Sequence, residues 1–305
     1  MAFEAELVRA TEGRLEDVHW FRTDWQRGGA ATAAARWRDS LGTTREVVVK
    51  VPVPPRETRW LRRIGERFAG RPDSPVPHLF ASDEILGPYD FAWVILERLP
   101  HGPLAMHWHP DHFRRIGEAI ARFHHASLET PIDGAPNEEP WDDLLDRART
   151  HVKDAGFPER SRWSTALKEF TKRADRAVDR WRSRRPIGWI HGDLHPANAM
   201  SRVGQDQGPV CLLDFAEVRP GHWLEDAVYL ERLHWTRPDR LEAKPVKCVA
   251  DARKALGLEN GDWPPLASAR RALLAATTPA FRGEHHPPFL SASLVRLEQG
   301  LKELR

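Results

Sequence analysis

The chain has 305 residues, and its 46 lysines and arginines nearly balance its 44 acidic residues, giving a formal charge of +2. That length suits one large domain or two medium ones with a buried core. The near-neutral balance excludes the broad basic surface typical of proteins that bind nucleic acid or anionic membranes. Two cysteines are too few for a disulfide framework, and the acidic N-terminus lacks the features of a signal peptide. We therefore expect a cytoplasmic protein with no nucleic-acid and no membrane partner.

The first hundred residues are predicted to be mostly β-strand. Strands are indicated by aromatic, alternating or β-branched runs that glycine and proline interrupt. One helix is predicted over 57–68, because Trp60, Leu61, Ile64 and Phe68 recur at helical spacing. The predicted strands cover 18–25, 32–38, 45–51, 78–86 and 91–96.

Beyond residue 110 the pattern becomes helical. The proline- and glycine-rich segment 100–103 is therefore the predicted domain boundary. Asp111 is expected to cap the first helix of this part. Two short apolar segments, 188–191 and 209–215, are predicted strands that run directly into polar residues. The further predicted helices cover 141–154, 161–184, 224–234, 240–256, 267–276 and 290–305.

Lys50 stands out among the basic residues. The chain contains only eight lysines against 38 arginines, and Lys50 is the only lysine before position 153. It ends a strongly β-branched strand. In a chain that uses arginine for most of its positive charge, this lysine indicates a specific role.

Two polar stretches follow short predicted strands. The first, 191–198, reads His-Gly-Asp-Leu-His-Pro-Ala-Asn, and the second, 213–217, reads Leu-Asp-Phe-Ala-Glu. They present a carboxylate at Asp193, an amide at Asn198 and a second carboxylate at Asp214. Carboxylate and amide oxygens suit Mg²⁺, which keeps open positions for phosphate oxygens. We predict that Asn198 and Asp214 hold the metal, which leaves Asp193 to orient a nucleophile and accept its proton.

This spacing resembles the kinase set H-x-D-x-x-x-x-N followed by a strand-borne Asp-Phe pair. The fuller pattern resembles the aminoglycoside phosphotransferase and choline kinase-like family of small-molecule kinases. The matching elements fall in the family's order across roughly residues 25–235. They are Gly28-Gly29, Val49-Lys50, and the segments 56–61, 94–99, 191–198, 213–217 and 220–226.

The resemblance implies an α+β, protein kinase-like two-lobed fold. Its N-lobe, 1–99, would be a small antiparallel β-sheet with one helix and would bind the nucleotide. Its larger, mostly helical C-lobe, 100–305, would carry the catalytic loop and the acceptor site. The helical segment 134–185 would form part of that acceptor site.

The resemblance also assigns the phosphate-binding residues. Lys50 would contact the α- and β-phosphates and be held by a glutamate of the following helix. Glu57 matches the family's glutamate, and Glu66, further along the same helix, is the alternative partner. Gly28 and Gly29 would form the flap over the phosphates, from their place in the chain before Lys50.

Two further positions are assigned to the nucleotide base. Glu97 and Leu99 would present a backbone carbonyl and a backbone amide to adenine at the hinge between the lobes. This assignment depends on position alone, because backbone groups make the contacts.

The implied activity is an ATP-dependent transfer of the γ-phosphate to a hydroxyl group of a small molecule, with Asp193 as the catalytic base. The expected cofactor is Mg²⁺, held by Asn198 and Asp214. The expected co-substrate is ATP, with GTP as an alternative nucleotide. The acceptor is an aminoglycoside-like antibiotic, an amino alcohol or a sugar. The segment 134–185, with 13 basic and 10 acidic residues, does not decide among these. The protein is expected to be a monomer or a homodimer.

Two other functions fit part of the pattern. A catalytically weak, nucleotide-binding pseudokinase would share the fold, although the intact polar residues at 193, 198 and 214 argue against it. A metal-dependent phosphohydrolase could use His191, Asp193 and His195 as half of a metal site. That alternative leaves Lys50 and Asp214 without a role.

Overall fold

The computed structural model describes residues 2–22, 29–204, 206–284 and 286–304. Its strands are β1 (Leu15–Arg22), β2 (Ala31–Arg38), β3 (Thr44–Val53), β4 (Leu79–Asp83), β5 (Ala92–Glu97), β6 (Gly188–Ile190), β7 (Ala199–Ser201), β8 (Val210–Leu212) and β9 (Arg219–Gly221). Its helices are α1 (Ala2–Ala10), α2 (Pro55–Arg67), α3 (His112–Ala126), α4 (Trp141–Val152), α5 (Arg160–Thr171), α6 (Ala174–Arg182), α7 (Leu224–Arg232), α8 (Pro238–Leu241), α9 (Pro245–Ala255), α10 (Trp263–Thr277) and α11 (Pro287–Glu303).

The chain divides into two compact units. The sheet unit comprises the residues up to Glu129 together with His191–Val218, and the helical unit comprises Thr130–Ile190 and the residues from Arg219 onward. The loop 191–198, which carries the predicted catalytic residue Asp193, therefore belongs to the same compact unit as the sheet. The predicted lobes, 1–99 and 100–305, stay a prediction. None of the described helices combines the length and apolar character needed to cross a membrane.

The main sheet of this unit has five antiparallel strands in the order β1-β2-β3-β5-β4. From Val47 to the end of β3 every second residue is buried, and Val47, Val49 and Val51 are completely buried. This alternation is expected for a strand with one face on a core. Lys50 lies on the opposite face of β3 from those valines, and it pairs in register with Thr32 of β2. The strand thus holds Lys50 away from the main apolar core.

The N-terminal helix α1 corrects the expectation of a single helix in this part of the chain. Its Phe3 and Leu7 are buried in the core of the sheet. The Phe3 ring meets the rings of Tyr89 and Phe91 edge-on at 5.6 and 5.7 Å. A helix of nine residues is marginal by itself, so this packing is what stabilises it.

Helix α2 carries a buried glutamate. Pro55 occupies its first turn, where a missing N–H group has no cost. Trp60, Leu61 and Ile64 form the buried face predicted from their spacing, and Glu57 is buried with them. The helix therefore turns one carboxylate toward the interior of the sheet unit.

Three details of the helices differ from the predictions. Asp111 makes no capping hydrogen bond, because its backbone is already helical, whereas a capping residue has non-helical dihedral angles; its carboxylate accepts a hydrogen bond from Arg114 at 3.2 Å. The helix predicted over 161–184 is two helices that meet at Arg173, whose backbone is not helical. The helix predicted over 240–256 is also two helices, because proline at the start of α9 has no N–H group to continue a helix.

Buried charges lie within the helical unit. The Glu225 carboxylate accepts hydrogen bonds from Arg184 Nε at 3.3 Å and Arg219 Nη1 at 2.7 Å. It also accepts the backbone N–H of His222, two residues before α7, at 3.0 Å. The side chains of Glu225 and Arg184 are only 2% and 5% exposed. This cluster ties β9 and α7 to the chain that follows α6.

His234, which follows α7, makes the stability of the fold depend on pH. Burial, together with Arg240 and Arg237, lowers the pKa of His234 from 6.5 to about 4. As the pH falls from 6.5 toward 4, the unfolded chain takes up a proton that the folded chain does not. The contribution of this group is therefore fully present above pH 6.5 and is lost as the pH falls through that window.

We expect His234→Gln to lose less stability than the parent protein on acidification. Between pH 6.5 and about pH 5 the parent should lose about 1.5 kcal/mol more of its free energy of unfolding than the variant. Urea unfolding at the two pH values measures this difference. Equal losses in the two proteins would contradict the assignment.

Candidate active site

His191 anchors the loop 191–198 to the strand end before Asp214. Its Nδ1 accepts the backbone N–H of Asp193 at 3.3 Å, and its Nε2 donates to the carbonyl of Leu213 at 3.0 Å. A backbone N–H can only donate and a carbonyl can only accept, so the ring is the neutral tautomer with its proton on Nε2. The ring is completely buried and packs against Phe215 at 5.0 Å.

Gly192 allows two loops of the site to approach closely. Its φ is +85°, a conformation that residues with a Cβ rarely adopt. A Cβ at this position would also overlap the backbone carbonyl of Glu217. The sequence identified this glycine as part of a motif, but its steric role is visible only in the structure.

Asp193 and Asn198 are directly joined. Asn198 Nδ2 donates to the backbone carbonyl of Asp193 and to its Oδ2, both at 3.1 Å. Because both partners are acceptors, the orientation of the amide is fixed, and Oδ1 is its only other polar atom. His195 Nε2 lies 3.3 Å from the same Asp193 Oδ2. The Asp193 carboxylate is therefore held in place while a third of its side chain is exposed.

Asp214 lies beside Asn198 and near Lys50. The carbonyl of Asn198 accepts the backbone N–H of Leu213 at 2.9 Å, which sets the two segments side by side. Asp214 has a left-handed backbone, with φ at 63°, and its side chain is 46% exposed. Such strained conformations concentrate at functional sites. Lys50 Nζ lies 3.9 Å from Asp214 Oδ1.

The two predicted metal ligands fit a hard cation. Asn198 Oδ1 and the Asp214 carboxylate are oxygen donors of the kind that Mg²⁺ prefers. They lie on adjacent segments, and the half-exposed Asp214 leaves room for a ligand. This donor set suits a cation that shares its coordination with phosphate oxygens.

The partner of Lys50 is Glu57, not the alternative Glu66. Lys50 Nζ donates to Glu57 Oε1 at 2.7 Å, and the two side chains are 25% and 2% exposed. Glu66 is on the exposed face of α2. Burial raises the pKa of Glu57, and the charge and hydrogen bond of Lys50 oppose that rise. The lysine is thus held by a buried carboxylate and keeps an exposed side.

The predicted base-binding residues lie at the end of β5. Glu97 is the last residue of the strand, and its backbone N–H donates to the carbonyl of His78 at 2.8 Å. Leu99, two residues on, is buried. Gly29 lies in a bend before β2, and Gly28 lies outside the described residues. The nucleotide contacts of these four residues stay predictions.

Arg202, which binds one of the predicted base-binding residues, was not predicted from the sequence. Its guanidinium binds the Glu97 carboxylate, 105 residues away along the chain. No local spacing pattern could reveal a pair so distant. The only signal in the sequence was the presence of both residues.

The histidines do not assemble a metal centre in the part of the chain that the structure describes. No group of three or more histidine, cysteine, aspartate or glutamate side chains there could hold a metal ion. Both ring nitrogens of His191 bind backbone groups instead. The geometry gives no support to the phosphohydrolase alternative.

Comparison with known proteins finds a family whose model matches most of the chain. Residues 25–268 match the model of a family described as the phosphotransferase enzyme family. None of the curated proteins compared with the sequence matches it.

Solved structures resemble 89–100% of the chain. An aminoglycoside phosphotransferase from Alicyclobacillus acidocaldarius is 18% identical, with 89% of each chain covered and a TM-score of 0.59. A microcompartment-associated aminopropanol kinase is 16% identical, with 100% of this chain and 98% of that one covered and a TM-score of 0.58. A spectinomycin phosphotransferase in complex with ADP and spectinomycin is 12% identical, with 93% and 90% covered and a TM-score of 0.50. The predicted α+β, protein kinase-like fold is confirmed.

Proposed function

This chain belongs to the phosphotransferase enzyme family, and we propose that it transfers the γ-phosphate of ATP to a hydroxyl group of a small molecule. The predicted class of enzyme, a phosphotransferase with an alcohol group as acceptor, is confirmed. The observation that best supports the finer proposal is the linked set of Lys50, Asp193, Asn198 and Asp214 within one compact unit. A similar phosphotransferase structure that holds ADP supports ATP as the co-substrate.

We assign the role of catalytic base to Asp193. Its Oδ2 is fixed by the Asn198 amide, so the carboxylate is oriented before a substrate arrives. In that position it would align the acceptor hydroxyl and accept its proton as the new bond to phosphorus forms. The exposed third of its side chain gives an acceptor access to it.

Asn198 and Asp214 are the proposed metal ligands. Mg²⁺, when bound, neutralises charge on the phosphate oxygens of the nucleotide. Asn198 would present Oδ1 to it, because its Nδ2 is committed to Asp193. Asp214 would present its carboxylate from the strained turn after β8.

Lys50 is the proposed ligand of the α- and β-phosphates. Its ammonium group donates to Glu57 on the buried side, and its exposed side can reach a phosphate. Glu57 then acts through Lys50, since a buried carboxylate limits the positions that the ammonium group can take.

Replacing Glu57 with glutamine tests this role. Glutamine keeps the size of the side chain but removes the charge that orients Lys50, so the KM for ATP should rise about tenfold, roughly 1.4 kcal/mol of binding free energy. Steady-state kinetics with ATP varied measures this change. Glu66→Gln, on the exposed face of the same helix, should leave the KM unchanged. An unchanged KM in Glu57→Gln would contradict the role.

A positively charged alcohol is the acceptor class that we favour. The run 133–146 contains six acidic residues and no lysine or arginine, and five of the six acids are exposed. An acidic surface attracts amines. Similar structures include an aminopropanol kinase and an aminoglycoside phosphotransferase, and both names denote amine-bearing alcohols as substrates.

An ADP-release screen tests the proposal. Aminoglycosides, amino alcohols and neutral sugars are each offered with Mg²⁺ and either ATP, with release of ADP followed, or GTP, with release of GDP followed. We expect ADP release that depends on an amine-bearing alcohol. Nucleotide binding without turnover on any acceptor would instead identify the pseudokinase alternative.

A further inference from the structure

Arg202 forms a clamp on the Glu97 carboxylate. Its Nε donates to Glu97 Oε1 at 2.8 Å and to Oε2 at 3.0 Å, and its Nη2 donates to Oε2 at 2.8 Å. The two side chains are 19% and 25% exposed. Charge-assisted hydrogen bonds of this forked kind are stronger and more directional than a contact between point charges.

The same guanidinium also holds the loop that precedes β4. Its Nη1 donates to the carbonyl of Ser74 at 3.1 Å, and its Nη2 donates to that of Val76 at 2.9 Å. Glu97 Oε2 in turn accepts the backbone N–H of His78 at 3.0 Å. The end of β5 is thus fixed from two directions, by Arg202 and by the 74–78 loop.

Arg202 lies in the hairpin formed by β7 and β8. A second link joins this hairpin to His101, just beyond the hinge. Ser201 donates its backbone N–H to the carbonyl of His101 at 2.7 Å and accepts the N–H of His101 at 3.3 Å. The β7–β8 hairpin therefore binds the chain on both sides of the hinge. It binds Glu97 through the Arg202 side chain and His101 through the backbone of Ser201. The same hairpin begins directly after Asn198, the proposed metal ligand.

We propose that Arg202 is a positioning residue that fixes the adenine-binding hinge, 97–99, relative to the catalytic loop. This inference depends on the proposed function, because it takes the hinge to contact adenine. Arg202 touches neither substrate in this scheme. It acts by holding the Glu97 side chain, so that the backbone carbonyl of Glu97 and the backbone amide of Leu99 keep one position.

The chemistry of the clamp selects the test variant. Lysine keeps the charge of Arg202 but has a single ammonium group, so it cannot make the forked contact and reach two carbonyls together. Arg202→Lys should therefore loosen the hinge without removing the positive charge. Glu97→Gln removes the charge from the other side of the pair and keeps its size.

The readout separates base recognition from phosphate recognition. We expect Arg202→Lys to weaken ATP binding about tenfold by calorimetry, while the affinity for inorganic tripolyphosphate with Mg²⁺ changes less than about twofold. The KM for ATP should rise by a similar factor, with kcat lowered less than about threefold. A loss of overall stability alone would lower both affinities together.

The matched control is Arg71→Lys. Arg71 also makes a forked contact with a carboxylate, that of Asp73, but on the surface of the same unit. This variant should bind ATP and tripolyphosphate like the parent. If Arg202→Lys fails to fold, Glu97→Gln carries the same comparison, with the same expected loss of ATP affinity.

Each outcome decides between the inference and the proposed function. If the parent binds ATP and transfers phosphate, and the clamp variants bind ATP as tightly as the parent, the role of Arg202 is wrong and the function stands. If ATP and tripolyphosphate affinities fall by the same factor, the positioning role is also wrong. A parent chain that binds no ATP overturns the proposed function and, with it, this inference.

Discussion

Replacing Asp193 with asparagine is expected to lower kcat by a factor between about 10² and 10⁴, the usual contribution of a positioned general base. Asparagine matches the shape of aspartate but cannot accept a proton from the acceptor hydroxyl. The loop itself should persist, because His191 binds the backbone of residue 193 and Asn198 binds its carbonyl. ADP release under saturating ATP and acceptor measures the loss.

The control must show that the nucleotide site is intact. We expect the dissociation constant for ADP to stay within about twofold of the parent value, since no nucleotide contact is assigned to Asp193. Asp90→Asn, an exposed aspartate of the same unit, should keep full activity. If Asp193→Asn retains more than about a tenth of the parent activity, Asp193 is not the base.

Replacing Glu225 with alanine is expected to destabilise the protein by about 3–5 kcal/mol, the cost of removing one partner from a buried ion pair. The change leaves Arg184 and Arg219 close together without the carboxylate that binds both. It also removes the acceptor for the N–H of His222, two residues before α7. Chemical denaturation followed by circular dichroism measures the free energy of unfolding.

An exposed ion pair of the same unit is the control. Glu298 accepts two hydrogen bonds from Arg162 at 2.7 and 2.6 Å, but both side chains are more than a third exposed. Glu298→Ala should therefore cost no more than about 1 kcal/mol. Equal losses for the two variants would mean that burial does not set the strength of the Glu225 cluster.

The fold and the centre of the site were predictable because local patterns specify them. The alternating valines of β3 indicate a strand and place Lys50 on its other face. The spacing within 191–198 and 213–217 brings together a carboxylate, an amide and a second carboxylate, as the structure finds.

Features that depend on tertiary packing were not predictable. The apolar spacing of α5 continues unbroken into α6, so it could not reveal the break at Arg173. Helix α1 is stabilised by contacts with Tyr89 and Phe91, which are far from it in sequence. The clamp between Glu97 and Arg202 likewise forms only when the two segments pack together.

The family resemblance named Glu57 as the partner of Lys50 and Glu66 as the alternative, and the geometry shows the contact with Glu57. Glu57 and Glu66 both lie on α2, and either could follow Lys50 at a usable distance along the chain. Burial separates them, because Glu57 lies on the inner face of the helix and Glu66 on the outer face. The apolar spacing agrees with this, because Glu57 lies three residues before Trp60 and four before Leu61, on the face that the pattern predicts to be buried.

The central claim is that the chain moves the γ-phosphate of ATP to a hydroxyl group. Phosphorus NMR of a reaction with ATP, Mg²⁺ and an amine-bearing alcohol tests it most directly. We predict a phosphate monoester of the acceptor that forms in step with ADP and is absent with Asp193→Asn. ADP accompanied only by inorganic phosphate, with every acceptor offered, would contradict the claim.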